Sequence, residues 1–126
     1  HDQAVAAQMA ADVLLLVVGK GAGSEMVLTG KVFEYLGARR PILALAPLAG
    51  PAAALVRDSA TGTVVDAEDV PAISQAIAEY YDQWQEGRLR YAPCEAVVAT
   101  YNRRLQTGQL ATVFDQLLSG GISSQE

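Results

Sequence analysis

The fold of this chain is restricted above all by six consecutive apolar residues, which begin at Val13 and end at Val18. The run shows no alternation with polar residues, which is typical of a strand covered on both faces within a parallel sheet. It is far shorter than the roughly 20 residues that a membrane-spanning helix needs. A glycine-rich loop follows, and residues 30–38 have the spacing of a buried helix. The segment therefore predicts a strand, a glycine loop and a helix in succession.

The rest of the chain repeats this alternation. Further strands are predicted at residues 42–46 and 63–65, and helices at 2–11, 51–57, 70–84, 93–105 and 107–118. Strands that alternate with helices form right-handed crossovers in a parallel sheet with helices on its faces. The sequence thus predicts an α/β fold, a three-layer α/β/α Rossmann-like sheet of about three strands with terminal helices. One domain is expected over residues 1–118 and a disordered tail over 119–126.

Three strands are few for a free-standing parallel sheet, in which five or six are usual. We therefore expect that part of the sheet is missing from this chain. The chain also opens at His1, without an initiator methionine or a signal-peptide pattern, which favours a cut fragment or a processed chain. The outer edge of the strand that runs from Val13 to Val18 would then be unpaired, and such an edge favours a homodimer.

Composition excludes several classes of protein. A formal net charge of -5 and a pI near 4.7 argue against a nucleic-acid partner, which requires a concentrated basic face. The single cysteine, Cys94, cannot form an internal disulfide, so a cytoplasmic location is expected. Its only possible histidine companion is His1, so neither a cysteine nucleophile nor a metal site is predicted.

Ligands of open parallel α/β sheets bind beyond the carboxyl ends of the strands. The loop over residues 19–30 is the richest candidate, because its glycines permit close approach and the following helix directs free N–H groups at a phosphate. Turn formation alone would also explain the glycines. The loop lacks the lysine and serine that end a P-loop, and it lacks a dinucleotide fingerprint.

Glu34 is the most specific polar residue near this loop, because it stands in an otherwise apolar helix. One interpretation is an ion pair with Lys31 or Arg39, or a solvated position. The other is that Glu34 binds the two hydroxyls of a ribose, one helical turn of about 5.4 Å beyond a phosphate at the helix start. Lys31 could likewise neutralise a phosphate or remain solvated.

The surrounding residues resemble a known family. The stretch Gly-Lys-Val-Phe-Glu-Tyr-Leu-Gly-Ala-Arg-Arg-Pro-Ile-Leu-Ala at residues 30–44 is similar to the donor-site segment of group 1 glycosyltransferases of the GT-B fold, where GK-[LV]-FEYL-A-x-x-RPIL is common. Ala-Asp-Val-Leu-Leu at 11–15 resembles the strand before the donor loop, and Thr-Gly-Thr-Val-Val-Asp at 61–66 resembles the G-x-x-V-D strand. The resemblance covers about residues 2–81.

The resemblance implies the second half of a C-terminal, nucleotide-sugar-binding domain. Such enzymes transfer a sugar from a nucleotide diphosphate to an acceptor with retention of configuration, and no obligatory metal or other cofactor is implied. Glu34 matches the glutamate that holds the ribose, and the backbone of Leu28, Thr29 and Gly30 matches the helix start that faces the diphosphate. The acid that contacts the transferred sugar is replaced here by Met26, so Glu25 could take this role only if the loop shifts by one residue.

The resemblance also implies that parts are missing. The family's diphosphate is neutralised by an arginine and a lysine from the earlier half of the domain, and its acceptor binds to a separate N-terminal domain. The isolated chain is therefore expected to be inactive, and the catalytic residues stay unknown. Two alternatives remain: a sugar-nucleotide epimerase of the same architecture, and a non-catalytic nucleotide-binding or dimerisation module. The aromatic residues Tyr80, Tyr81 and Trp84 are expected to pack their helix against the terminal helices.

Overall fold

A computed structural model describes residues 2–19, 21 and 28–120 of the chain. It is an α/β fold in which a three-stranded parallel sheet is flanked by helices, as the sequence predicts. The described elements are, in chain order, α1 (Asp2–Ala10), β1 (Leu14–Val17), α2 (Gly30–Ala38), β2 (Ile42–Leu45), α3 (Pro51–Asp58), β3 (Gly62–Val65), α4 (Val70–Gln85), α5 (Glu95–Thr100) and α6 (Arg103–Gly120).

The strands lie in the order β1-β2-β3, and both pairs are parallel. Leu16 of β1 is aligned with Ala44 of β2, which is aligned with Val64 of β3. A helix connects each pair of neighbouring strands, because parallel strands cannot be joined by a tight turn. All three strands therefore end at the same edge of the sheet, and each is followed there by a loop that enters a helix.

One face of the sheet carries the hydrophobic core. Leu16, Ile42 and Ala44 point to this face and are at most 2% exposed. Helices α2 and α3 cover them with buried apolar side chains, among them Val32 and Val56. The amphipathic spacing of α2 and α3 thus gives each helix one buried side, which anchors the start of each helix at the edge where the strands end.

The other face of the sheet is covered only in part. Helix α4 lies against β3, and the hydroxyl of Tyr80 donates to the carbonyl oxygen of Ile42 at 3.3 Å. Leu15 and Val17 of β1 point to this face and are 54% and 59% exposed. The prediction that β1 is covered on both faces is therefore wrong: the strand has the buried-exposed alternation of a half-covered strand.

The aromatic residues of α4 lie in two places. The hydroxyl of Tyr80 contacts the sheet and also bonds that of Thr63 at 3.1 Å. The predicted packing of these rings against the terminal helices stays a prediction. Tyr81 and Trp84 are 54% and 50% exposed, with their ring centroids 6.0 Å apart. Since only every third or fourth residue of α4 can face the sheet, these two rings form a separate apolar stripe.

The chain divides into two compact units, His1–Cys94 and Glu95–Glu126. The single domain over residues 1–118 that the sequence indicates stays a prediction. The first unit contains the sheet with α1 to α4, and the second contains α5 and α6. Helix α6 includes Ser119 and Gly120, which the sequence assigns to a disordered tail, and the remaining tail residues lie outside the described residues. No helix in the described ranges has both the length and the apolar character needed to cross a membrane.

Candidate functional site

The candidate site lies at the edge of the sheet where the strands end. Val17, Leu45 and Val65 are aligned across the three strands, so the segments that follow them begin side by side. The first loop leads to α2, the second to α3 and the third to α4. This is the edge at which open parallel sheets bind their ligands.

The start of α2 leaves its first N–H groups without a side-chain cap. Thr29 occupies the N-cap position with extended backbone angles, but its side chain makes no capping hydrogen bond. Its hydroxyl oxygen is buried and has no hydrogen-bond partner in the described part of the chain. Gly30 and Lys31 follow and are exposed, while half-buried Leu28 packs against the core and fixes the approach to the helix. This arrangement suits an anion, because N–H groups and the positive end of the helix dipole meet there.

A second helix start lies beside the first. Gly50 is the N-cap of α3 and Pro51 its first residue, so this helix also lacks a side-chain cap. The guanidinium of Arg57 donates to the carbonyl oxygen of Leu48 at 2.6 Å and holds the loop between β2 and α3 in place. The sequence-based prediction of a ligand site covers the loop before α2 and does not include this loop. The signal that could have identified it is the Gly-Pro pair itself, which begins a helix without a capping side chain.

The third helix start is closed and acidic. The carboxylate of Asp69 accepts a hydrogen bond from the backbone N–H of Ala72 at 3.0 Å and so caps α4. Asp66 accepts from the backbone N–H of Glu68 at 2.9 Å. Negative charge thus lies at the end of β3, whereas uncapped helix starts lie at the ends of β1 and β2. An anionic ligand would therefore be favoured at α2 and α3 and disfavoured at α4.

Glu34 lies on α2 in the turn after the helix start and is exposed. One of its carboxylate oxygens accepts a hydrogen bond from the side-chain amide of Gln8 in α1 at 3.3 Å. The partner is thus a neutral amide, not the Lys31 or Arg39 that the ion-pair interpretation requires. One amide donor fills only one of about four lone-pair positions of a carboxylate, so Glu34 keeps most of its accepting capacity.

The remaining predicted site residues fall in the loop before α2. Glu25 and Met26, with which the sequence associates the sugar contact, lie outside the described residues. The structure therefore brings together Leu28, Thr29, Gly30, Lys31 and Glu34 on one helix start, and it leaves the position of Glu25 undescribed. No group of three or more potential metal ligands occurs in the ranges that the structure describes.

Two concave surfaces of the first unit lie away from this edge. A polar cavity of about 300 Å³ lies where β2 and β3 begin, and Glu79, Tyr80, Gln83, Arg90 and Tyr91 contribute to its wall. An apolar trough of about 380 Å³ lies between β1 and α4. Neither contains a residue that the sequence assigns to donor binding.

The protein has an α/β fold in which two helix starts without a side-chain cap lie at the edge where the strands end. No family model, curated protein or solved structure matches this chain. The arguments about function therefore depend on the residues themselves and on the resemblance described above.

Proposed function

We propose that this chain binds the nucleotide-diphosphate-sugar donor of a group 1 glycosyltransferase of the GT-B fold, as the second half of its donor domain. The parent enzyme would transfer the sugar to an acceptor that the chain does not identify, with retention of configuration by family resemblance. Leu28, Thr29 and Gly30 would face the diphosphate through their backbone, with Lys31 beside it, and Glu34 would accept hydrogen bonds from the ribose.

The observation that carries this proposal is the uncapped start of α2 at the ligand-binding edge of the sheet. An added Cβ at Gly30 would meet no atom within 4 Å, so nothing within the described protein requires a glycine there. A diphosphate lying against the backbone would require it. The buried hydroxyl of Thr29 would also gain a partner, and a buried hydroxyl without one costs about 1–3 kcal/mol.

Glu34 lies at a suitable distance from this helix start. It is four residues beyond Gly30, and four residues along an α-helix advance by about 6 Å. That step resembles the separation of the ribose hydroxyls from the phosphates in a nucleotide. Because the carboxylate is exposed and held by one neutral amide, it is available for two hydroxyl donors.

Turnover requires groups that the resemblance places outside this chain. A leaving diphosphate must be stabilised by positive charge, and Lys31 is the one cation at the described start of α2. We therefore expect binding of nucleotide by the isolated chain without transfer of sugar. Glu25 would contact the sugar only if the donor loop shifts by one residue relative to the family.

A second candidate is a non-catalytic nucleotide-binding module that assembles through the edge of the sheet. It is supported by the position of β1, which pairs with β2 alone and directs the backbone of Leu15 and Val17 outward. The hydroxyl of Tyr35, however, donates to the carbonyl oxygen of Leu15 at 3.2 Å. A strand that joined this edge would have to displace that hydrogen bond, so the edge is partly protected.

Calorimetric titration with UDP, GDP and ADP, and with their sugar conjugates, tests the donor-site proposal. At least one of these nucleotides should bind, and Glu34→Ala should weaken its binding about 10- to 100-fold. That range corresponds to the loss of hydrogen bonds to a charged group, worth about 1.5–3 kcal/mol in total.

Gln8→Ala is the matched control, because it removes the side-chain amide that donates a hydrogen bond to Glu34. It should leave nucleotide binding unchanged. If Glu34 serves only to join α1 to α2, both variants should lose the same free energy of unfolding and neither should change nucleotide binding. That result would remove the ribose assignment, and failure of every nucleotide to bind would remove the proposal itself.

A further inference from the structure

The polar cavity where β2 and β3 begin is a concave surface that the donor-site proposal does not use. Its volume is about 300 Å³, and every residue that lines it belongs to the first unit. Ligand pockets range from about 300 to about 1,000 Å³, so this cavity suits a small ligand. It lies at the opposite edge of the sheet from the donor site, about 13 Å away along strands of four residues.

Three parts of the first unit form the wall of this cavity. Helix α4 contributes four side chains with the spacing i, i+3, i+4 and i+7, which lie on one side of the helix: Ala76, Glu79, Tyr80 and Gln83. Residues 60–63, at the start of β3, and Pro41, before β2, form the floor. Residues 90–92, in the segment that follows α4, complete the wall.

The segment that follows α4 is held at both ends and in its middle. The backbone N–H of Arg88 donates to a carbonyl oxygen of α4 at 2.8 Å, and that of Cys94 donates to the carbonyl oxygen of Ser59, also at 2.8 Å. Between them, the guanidinium of Arg39 lies 5.8 Å from the centroid of the Tyr91 ring, in a cation–π contact. The wall is therefore preformed, which lowers the entropic cost of binding a ligand.

The hydroxyl groups of the cavity are already used within the protein. Tyr80 donates to the carbonyl oxygen of Ile42, and its oxygen lies 3.1 Å from the hydroxyl oxygen of Thr63. These contacts fix the shape of the floor. Recognition of a ligand therefore depends on the charged and amide side chains of the wall, which are Glu79, Gln83 and Arg90.

The wall carries one cation and one anion. Arg90 makes no hydrogen bond or ion pair with any described residue, whereas the guanidinium of Arg88 pairs with Glu86. One carboxylate oxygen of Glu79 accepts from the side-chain amide of Gln75 at 2.9 Å, which leaves the other oxygen for a further donor. A guanidinium binds a carboxylate through two parallel hydrogen bonds, and a carboxylate binds an ammonium group.

We propose that this cavity binds a small zwitterion with one carboxylate and one ammonium group, such as a free α-amino acid. Arg90 holds the carboxylate, Glu79 holds the ammonium group, and the amide of Gln83 contacts a polar side chain of the ligand. The two opposite charges disfavour other ligands, because Glu79 repels a phosphate and Arg90 repels a simple cation. The proposal does not depend on nucleotide binding at the other edge of the sheet.

Calorimetric titration of the full chain with L-serine, L-threonine, L-asparagine and L-glutamine tests the site. At least one of them should bind, and failure of all four would overturn the proposal. The amide of that amino acid lacks the carboxylate, and its N-acetyl form lacks the ammonium group. Each derivative should bind at least about 10-fold more weakly, because each loses hydrogen bonds between charged groups.

Two variants assign the charges to the ligand. Arg90→Gln should remove the preference for the amino acid over its amide, and Glu79→Gln should remove the preference over its N-acetyl form. Arg88→Gln and Asp82→Asn are matched controls, because they make the same changes of charge on the same segment and helix at residues that do not line the cavity. All four side chains are exposed, so the variants should fold, and the controls should bind the amino acid as the unchanged chain does.

Three results would contradict the proposed site. Equal binding of the amino acid, its amide and its N-acetyl form would show that charge is not recognised. Preferences that survive both Arg90→Gln and Glu79→Gln would place the ligand elsewhere. Displacement of the amino acid by UDP would place both ligands at one site, whereas the proposal expects UDP to leave binding of the amino acid unchanged.

Discussion

Replacement of Gly62 by alanine should be among the most damaging small changes in the first unit. Gly62 is the first residue of β3 and is aligned with Ile42 of β2. A Cβ added there would lie 2.6 Å from the carbonyl carbon and 2.7 Å from the nitrogen of Ile42, and it would also collide with the carbonyl oxygen. Gly62 is the glycine of the G-x-x-V-D pattern. The structure explains why a glycine is needed there: the two backbones approach too closely for any side chain.

The size of the expected loss in unfolding free energy follows from the shift that alanine would force on β3. Carbon atoms in contact prefer separations of about 3.5–4.0 Å, so β3 would have to shift by about 1 Å from a neighbour that lies at about 4.8 Å. The obstacle is backbone, and Ile42 is fully buried and donates to the carbonyl oxygen of Thr61 at 2.9 Å. Overpacking costs about 1–3 kcal/mol, and a weakened strand hydrogen bond adds about 1 kcal/mol. We therefore expect a loss of about 2–4 kcal/mol in the free energy of unfolding.

Urea unfolding monitored by the fluorescence of Trp84 measures this loss, because Trp84 belongs to the same unit as the sheet. The matched control is Gly37→Ala, at an exposed position of α2 where an added Cβ would meet nothing within 4 Å. Alanine there should raise the free energy of unfolding by about 0.5–1 kcal/mol through helix propensity. If Gly62→Ala costs less than about 1 kcal/mol, the explanation by close backbone approach is refuted.

Two further changes test single polar contacts. Ser59→Ala should lower the free energy of unfolding by about 1–3 kcal/mol, because the buried hydroxyls of Ser59 and Thr61 are 2.8 Å apart and Thr61 would lose its partner. In the same unfolding assay, Ser119→Ala at an exposed site should be neutral. Asp69→Ala should cost about 1 kcal/mol of unfolding free energy by uncapping α4, and Asp69→Ser should restore most of it; equal losses for the two variants would contradict a capping role.

The order and type of elements could be predicted because each one has a local signal. The apolar run of β2 ends at a proline, α3 begins with a proline, and Asp69 stands before the apolar spacing of α4. Each of these signals acts within a few residues, so no knowledge of the tertiary structure is needed. The predicted sheet and its parallel strands are confirmed for this reason.

The coverage of β1 could not be predicted, because it depends on how far a distant helix reaches. Six apolar residues in a row indicate that both faces of a strand can be buried, not that the chain provides a helix for each face. Helix α4 lies against β3 instead, and it leaves Leu15 and Val17 exposed. The partner of Glu34 escaped prediction for the same reason, since Gln8 is 26 residues away in sequence and its contact with Glu34 exists only once α1 packs against α2.

The starts of the three helices that follow the strands differ in one respect that bears directly on function. In α4 the carboxylate of Asp69 accepts a hydrogen bond from an N–H group of the first turn, so the protein itself stabilises this helix start. The loop around this helix start is acidic. Helices α2 and α3 begin at Thr29 and Gly50 without such a cap, although capping by a serine, threonine or aspartate is worth about 1 kcal/mol. Two adjacent helix starts therefore lack this stabilisation, whereas the third has it. The backbone N–H donors at the starts of α2 and α3 stay available at the ends of β1 and β2. An anionic ligand that accepts from these donors would recover the stabilisation on binding, so the uncapped starts favour a phosphate-bearing ligand over a purely structural edge.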